Sequence, residues 1–443
     1  MKRITAVIAF VFMIAGCNEK KSYQNLFNDS FLYSKTVKAY NYIVMGNNLA
    51  PIVASRCYTY ATIAAYEVVA MGDSRFQSLA GQIKHLPAIT VPDTSNVNFQ
   101  YAALLAFCKA GEATTFPKGS MKEQIAQLDS IAKESGMSDA MKDASVKLGE
   151  SVAEQIIKWS KGDNYAETRT APRYEIKKGI ESRWVPTPPS YAQALEPSWN
   201  KIRPMVMDSA GQFLTPRPPA FDMKNKNSEF YKWVLLVKNA GDSLTDEQKH
   251  IAEFWDDLGV RSIVEGHVMF ATKKFSPPGH WMNIVGIAAQ TAKADFSTTV
   301  AAYAKTAIAG FDAFIQCWDE KYRSNLLRPE TAINKYIDPE WRPYLQTPPF
   351  PEYTCGHSTV SASAAEALTD MFGDNFAYTD TSELEFGIKN RSFTSFRQAA
   401  IENNWARFYG GIHYHGSCLV STEFGTKVGE LVNERLKMRK EKK

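Results

Sequence analysis

The sequence predicts an all-α protein, on three observations. Alternating apolar and polar runs bounded by turn pairs, the mark of strands, are almost absent along the 443 residues. Several long stretches instead repeat their apolar residues with helical spacing. Thr245-Asp-Glu-Gln248 reads as a capping box, the local signature of a helix start.

Taken in order, Ser34 to Gly72 is long and apolar on most faces, the pattern of a buried helical segment. From Asp139 to Trp159 the stripe Met141, Leu148, Val152, Ile156 and Trp159 predicts an amphipathic helix. Between Pro172 and Pro219 lie nine of the 21 prolines, so this passage is neither helix nor sheet. It is expected to wrap over the helices, because a long irregular segment in a folded protein usually packs or lines a site. After the capping box come Ile251, Phe254, Trp255 and Leu258, then helices at Trp281 to Ala292 and about Ser297 to Tyr322. No internal repeat of fixed period is present. The resulting division is an N-terminal helical region over 37–170, a proline-rich connection over 171–230 and a C-terminal helical region over 231–437.

Composition narrows the function classes. A content of 44% hydrophobic and 12% aromatic residues is that of a folded globular chain. Fifty-one basic against 47 acidic residues leave a charge of +4, partly in the two tails, which does not suit nucleic acid binding. Lys2 and Arg3 precede an apolar stretch from Ile4 to Ala15, an export signal too short for a good membrane span. It ends in Ile-Ala-Gly-Cys at 14 to 17, which resembles the lipobox of bacterial lipoproteins. That predicts a signal over 1–17, lipidation at Cys17, a polar tether over 18–36 and anchoring to a bacterial membrane on its periplasmic or cell-surface side. The remaining cysteines, 57, 108, 317, 355 and 418, form no metal-ligand spacing.

Chemistry concentrates in three segments of the last third. In Lys321-YRSNLL-Arg328-Pro329 a helix is expected to end near Lys321, and Lys and Arg supply a point charge and a planar fork for oxyanion oxygens. In Pro351-Glu-Tyr-Thr-Cys355-Gly356-His357-Ser358, Gly356 permits close backbone approach. A helix starting near Ser358 aims free N–H groups and its positive dipole end at whatever lies beside His357. In Arg407-Phe-Tyr-Gly-Gly-Ile-His413 a helix is broken by Gly410 and Gly411, so that Arg407 and His413 can reach one point. Singly, each also reads as a helix end, a cap or a core histidine. Together they describe a pocket that suits one oxyanion.

The order Lys-x6-Arg-Pro, Gly-His and Arg-x5-His resembles the signature of the vanadium-dependent haloperoxidase and type 2 phosphatidic acid phosphatase superfamily. The strings PEYTCGHS and ARFYGGIHY look like its bacterial haloperoxidase-related branch, as do ASRCYTYATIAAYE at 54 to 67, PSWNKIRPMVMDSAGQF at 197 to 213 and PPGHW at 277 to 281. The resemblance implies packed helical bundles. It also implies vanadate or phosphate oxygens held by Lys321, Arg328, Arg407 and the Gly356 amide, with His413 as the vanadium ligand or phosphorus nucleophile and His357 as the acid-base group. Trp318 and Phe350 occupy positions where chloroperoxidases of the family carry aromatics. His280 and Trp281 are expected near the entrance, and His415 on the rim; His85, His250 and His267 have no assigned role.

Two positions depart from the family pattern. Cys355 replaces a Ser, a good donor, with a weak one. Ser417 stands where an Asp would orient the imidazole of His413. Both bear on turnover more than on anion binding. If both histidines face one anion, Cys355 and Cys418 approach each other, and a disulfide between them is expected. Three readings follow: a vanadate-dependent enzyme oxidising halide with hydrogen peroxide; an acid phosphatase acting through a phosphohistidine on a soluble phosphate ester, without cofactor; and a lipoprotein that binds the anion without turnover.

Overall fold

A computed structural model describes residues 22–91, 93–176 and 179–440; Cys17 and the export signal lie outside these residues. The chain is built from helices in the order α1 (Tyr23–Phe27), α2 (Ser30–Gly46), α3 (Pro51–Gly72), α4 (Phe99–Glu112), α5 (Lys122–Glu134), α6 (Asp139–Ser160) and α7 (Tyr165–Thr168). After the proline-rich passage come α8 (Glu229–Gly241), α9 (Asp246–Phe254), a hairpin β1–β2 (Val260–Glu265, Val268–Lys273), α10 (Pro277–Thr291), α11 (Phe296–Ser324) and α12 (Pro329–Tyr336). The last part holds α13 (Gly356–Phe372), a hairpin β3–β4 (Tyr378–Asp380, Arg391–Phe393), α14 (Phe396–Tyr409) and α15 (His415–Arg435). The all-α class holds. The two antiparallel hairpins are additions that the sequence did not announce, one closing at Glu265 opposite Val268 and the other pairing Tyr378 with Phe393.

The expected tether is helical from Tyr23 onward, and Phe27 and Tyr33 are fully buried in the main core. These aromatics fall on the inward side of short helices, a placement that composition alone does not reveal. The apolar stretch from Ser34 to Gly72 is two helices rather than one. Asn48 adopts a left-handed conformation (φ 54°), and Pro51 begins α3, where its missing N–H costs nothing. The capping box forms as read, with the Thr245 side chain and the Gln248 side chain each bonding the other's backbone.

Helix α11 runs 29 residues through the centre and is buried almost throughout. It packs against α3 on one side and α13 on the other, so both halves of the chain share one hydrophobic core. The proline-rich passage lies across the end of α11. Trp184 N–H donates to the Asn325 carbonyl at 2.8 Å, and Leu195 N–H to the Pro349 carbonyl at 3.0 Å. Asp312 of α11 accepts from the backbone amides of Met205, Val206 and Met207 at 2.6 to 2.8 Å, fixing the passage to the core.

Helices α13 and α15 meet backbone to backbone. A Cβ added at Gly425 would sit 2.2 Å from the Thr359 carbonyl oxygen, and one at Gly429 2.8 Å from that of Ser363. Only glycine permits this approach. It sets the start of α13 beside Ser421, inside α15.

Candidate active site

Each segment places its chemistry at a helix end. Helix α11 stops because Asn325 turns left-handed (φ 52°), and Arg328 then caps α12 immediately before Pro329. Cys355 is the residue before α13, with its amide held by the Ser421 hydroxyl of α15 at 2.7 Å. Arg407 lies in the last turn of α14; Gly411 (φ 74°) reverses the chain, and His413 follows two residues later. Lys321, Arg328, His357, Arg407 and His413 are all buried.

The His413 imidazole is fixed from both sides. Its Nδ1 lies 2.7 Å from the Glu352 carboxylate oxygen Oε1, which also accepts the Tyr414 amide at 3.1 Å. Its Nε2 lies 3.0 Å from Arg328 Nη1, a group that can only donate. These partners assign the neutral tautomer with the proton on Nδ1 and a lone pair on Nε2 facing the guanidinium. The sequence had assigned this orienting role to the position now held by Ser417 and found it wanting. The carboxylate instead comes from Glu352, inside the string that carries His357, while the Ser417 hydroxyl is buried without a partner among the described residues. An acid five residues before His357 was the available signal.

The cations are held by backbone carbonyls and keep donors to spare. Lys321 Nζ donates to the carbonyls of Pro351 and Glu352 at 2.9 and 3.0 Å and lies 4.9 Å from the Phe350 ring centre. Arg328 donates to the carbonyls of Phe350 and Ile412 at 2.8 and 2.9 Å. Arg407 donates through Nη1 to the Trp255 carbonyl at 2.8 Å, an anchor without a sequence signal. Among the described residues, Arg328 Nη2, Arg407 Nε and Nη2, His357 Nε2 and the Ser358 hydroxyl are buried without a partner. Buried donors normally find acceptors, and the first amides of α13 lack partners within their own helix. The donor set therefore fits a bound oxyanion beside His413 Nε2.

Titration follows the same crowding. Burial lowers Lys321 to about 8 and Arg328 to about 10. Burial, then the Arg407 charge, holds His357 well below its ordinary value, so it is neutral at pH 7. Cys355 and Cys418 touch as predicted, but as free thiols rather than a disulfide. Burial works to raise Cys355, yet contact with the Cys418 thiol and the His413 imidazole brings it well down; burial and the same contact raise Cys418.

A cavity of about 290 Å³ leads to His357, lined by Ala192 and Leu195 of the wrapping passage with Asp257, Gln346 and Phe350. Trp318 stands behind it, 5.1 Å from Phe350 ring to ring and against Gly356. A larger cleft of about 540 Å³, between Arg169, Tyr174 and Pro197, contains none of the site cations. His280 does not line the entrance: it is fully buried between Asp257 and Asp380, stacked on Trp255. Its neighbour Trp281 is also interior, donating to Ser361. His415 stacks on Trp405 and lies off the cavity wall.

The chain is 41% identical to a protein whose structure is described as the first bacterial vanadium-dependent iodoperoxidase, covering 93% of this chain and 98% of that one with a TM-score of 0.87. It belongs to the vanadium-dependent haloperoxidases. A family model described as the VCPO second helical-bundle domain matches residues 334–441 of this haloperoxidase. Its fold is also that of a bacterial vanadium-dependent chloroperoxidase, in the apo form (18% identity, 87% of this chain and 95% of that one, TM-score 0.64) and the holo form (18%, 87% and 92%, 0.63). No curated protein matches. Members of this family are enzymes, and vanadate is their cofactor.

Proposed function

We propose that this haloperoxidase oxidises halide with hydrogen peroxide, iodide foremost, with vanadate held at His413. One observation supports it above the others: the buried donors of Arg328 and Arg407 that lack partners among the described residues stand around a histidine whose Nδ1 is held by Glu352 and whose Nε2 lone pair, met by Arg328 Nη1 at 3.0 Å, faces that donor set. Lys321, Arg328, Arg407 and the Gly356 amide would neutralise and orient the oxyanion oxygens, and His413 Nε2 would ligate the metal. Bound vanadate supplies the Lewis acidity that activates peroxide toward halide. Net turnover of halide, peroxide and one proton to hypohalous acid and water needs a proton carrier, and neutral His357 at the cavity end suits that work.

Iodide is favoured by the 41% identical neighbour described as an iodoperoxidase. The Trp318 and Phe350 pair had pointed toward chloride; the chloroperoxidases are 18% identical and share the fold. The phosphatase reading gains no support from these neighbours. The lipobox at Cys17 supports lipid anchoring outside the cytoplasm, which mass spectrometry of the mature N-terminus would test.

The deciding experiment measures peroxide-dependent oxidation of iodide, bromide and chloride with and without added vanadate, beside hydrolysis of a chromogenic phosphate ester. Vanadate-dependent oxidation, fastest for iodide and lost in His413→Ala, is expected. Oxidation indifferent to vanadate, or phosphate hydrolysis alone, overturns the reading.

A further inference from the structure

Beneath the anion pocket lies a second buried polar cluster that halide oxidation does not use. Asp257 follows α9, His280 lies in the first turn of α10, Asp380 ends β3 and Glu383 lies in the loop after it; all are at most 1% exposed. His280 Nδ1 is 2.9 Å from Asp257 Oδ1, and its Nε2 is 2.9 Å from Asp380 Oδ2. With both nitrogens on carboxylates, the ring is held as an imidazolium, raised by its two aspartates despite burial.

Glu383 is the unexplained member. Neither of its oxygens has a hydrogen-bond partner among the described residues, and neither does Asp257 Oδ2; Lys274 Nζ is 3.7 Å from Glu383 Oε2. A fully buried carboxylate with both oxygens idle is costly. Burial raises Glu383 to about 8, so at pH 7 it is held as the protonated acid. Yet ligand atoms of Asp257, His280 and Glu383 lie within 4.8 Å of one another.

The geometry points to a divalent cation site formed by Asp257, His280 and Glu383, of the first-row class represented by Zn²⁺ or Mn²⁺. An imidazole with carboxylates suits these ions. Binding would release the Nδ1 proton of His280 and the carboxyl proton of Glu383 to solvent, turn both groups to the metal and leave Nε2–H of His280 donating to Asp380, a common way of orienting a ligating histidine. Three carboxylates, Lys274 and the ion then sum to neutrality. The ion would lock the β3 loop to α10 and to the turn carrying Trp255, whose ring stacks on His280 and whose carbonyl anchors Arg407. The site would thus steady one wall of the anion pocket without touching the reacting atoms.

The test uses the full mature protein, stripped with chelator and kept free of vanadate, titrated calorimetrically with Zn²⁺ and Mn²⁺ alongside elemental analysis and thermal unfolding. One equivalent bound, with a raised Tm, is expected. Glu383→Gln should weaken binding by at least about tenfold while remaining folded, and Asp257→Asn serves the same end should that variant not fold. Glu253→Gln, outside the cluster, should bind as the parent does. No saturable binding of either ion, or unchanged affinity in the folded cluster variants, overturns the proposal. Because vanadate is absent, neither result bears on halide oxidation.

Discussion

Glu352 Oε1 and His413 Nδ1 lie 2.7 Å apart, both fully enclosed, and this contact fixes which imidazole nitrogen faces the anion pocket. An orienting carboxylate sharpens a ligating histidine by holding its tautomer and raising its basicity. Glu352→Gln keeps an acceptor for Nδ1–H but removes the charge. Vanadate affinity, measured calorimetrically, should fall roughly 10- to 100-fold. Ser417→Ala should leave it nearly unchanged; the reverse ranking would return the orienting role to position 417.

Lys321 separates stability from binding. Its folded value of about 8 lies below the roughly 10.4 of an unfolded lysine. Between those values the unfolded chain binds more protons, so this group's contribution to stability rises with pH through that window, and its full penalty is felt below about 8. Lys321→Met should therefore stabilise the vanadate-free protein at pH 7 by about 1 to 2 kcal/mol after the loss of two hydrogen bonds, read as a raised Tm. The gain should shrink toward pH 10. Vanadate affinity should drop in the same variant, and only the parent should lose a lysine-dependent share of affinity as pH rises through about 8.

His357 is held neutral by burial and by Arg407. A histidine with a depressed folded value contributes stability that is complete above about 6.5 and is lost as pH falls through that region. His357→Ala should remove this acid-sensitive part of the Tm profile. It should lower kcat for halide oxidation about 100-fold or more, with vanadate binding weakened far less. A variant losing binding and turnover equally would show that His357 holds the anion rather than the proton.

Cys355 stands where a hydroxyl would serve the anion better. Its sulfur contacts His413 and Cys418 inside the site. Cys355→Ser supplies a stronger donor of nearly the same shape, worth about 1 kcal/mol. Vanadate should bind roughly fivefold tighter, and peptide mapping of the parent without reductant should find both Cys355 and Cys418 free.

The site was legible where chemistry is tied to local chain geometry. Lys321, Arg328, His357, Arg407 and His413 each sit beside a helix end that a proline, a glycine or a small-residue run announces, and the structure gathers them. Glu352 was visible but unread, because an acid in a loop carries no periodic signal and its partner lies 61 residues away. His280 was misplaced for a related reason. A histidine after Pro-Pro-Gly looks like an entrance residue, and only the approach of Asp257 and Asp380 from distant segments makes it interior. The tether failed because the inward faces of α1 and α2 acquire meaning only against α4 and α5.

By itself the sequence determined the helical class, the capping box at Thr245 and which charged and imidazole side chains gather at the candidate site. Those depend on backbone preference and on residues a few positions apart. The tertiary structure alone decided which carboxylate serves His413, that Cys355 and Cys418 meet as thiols, and that a second polar cluster lies under the pocket. Each of these depends on how closely α13 and α15 pack at Gly425 and Gly429, or on loops converging from far along the chain, which no local pattern encodes.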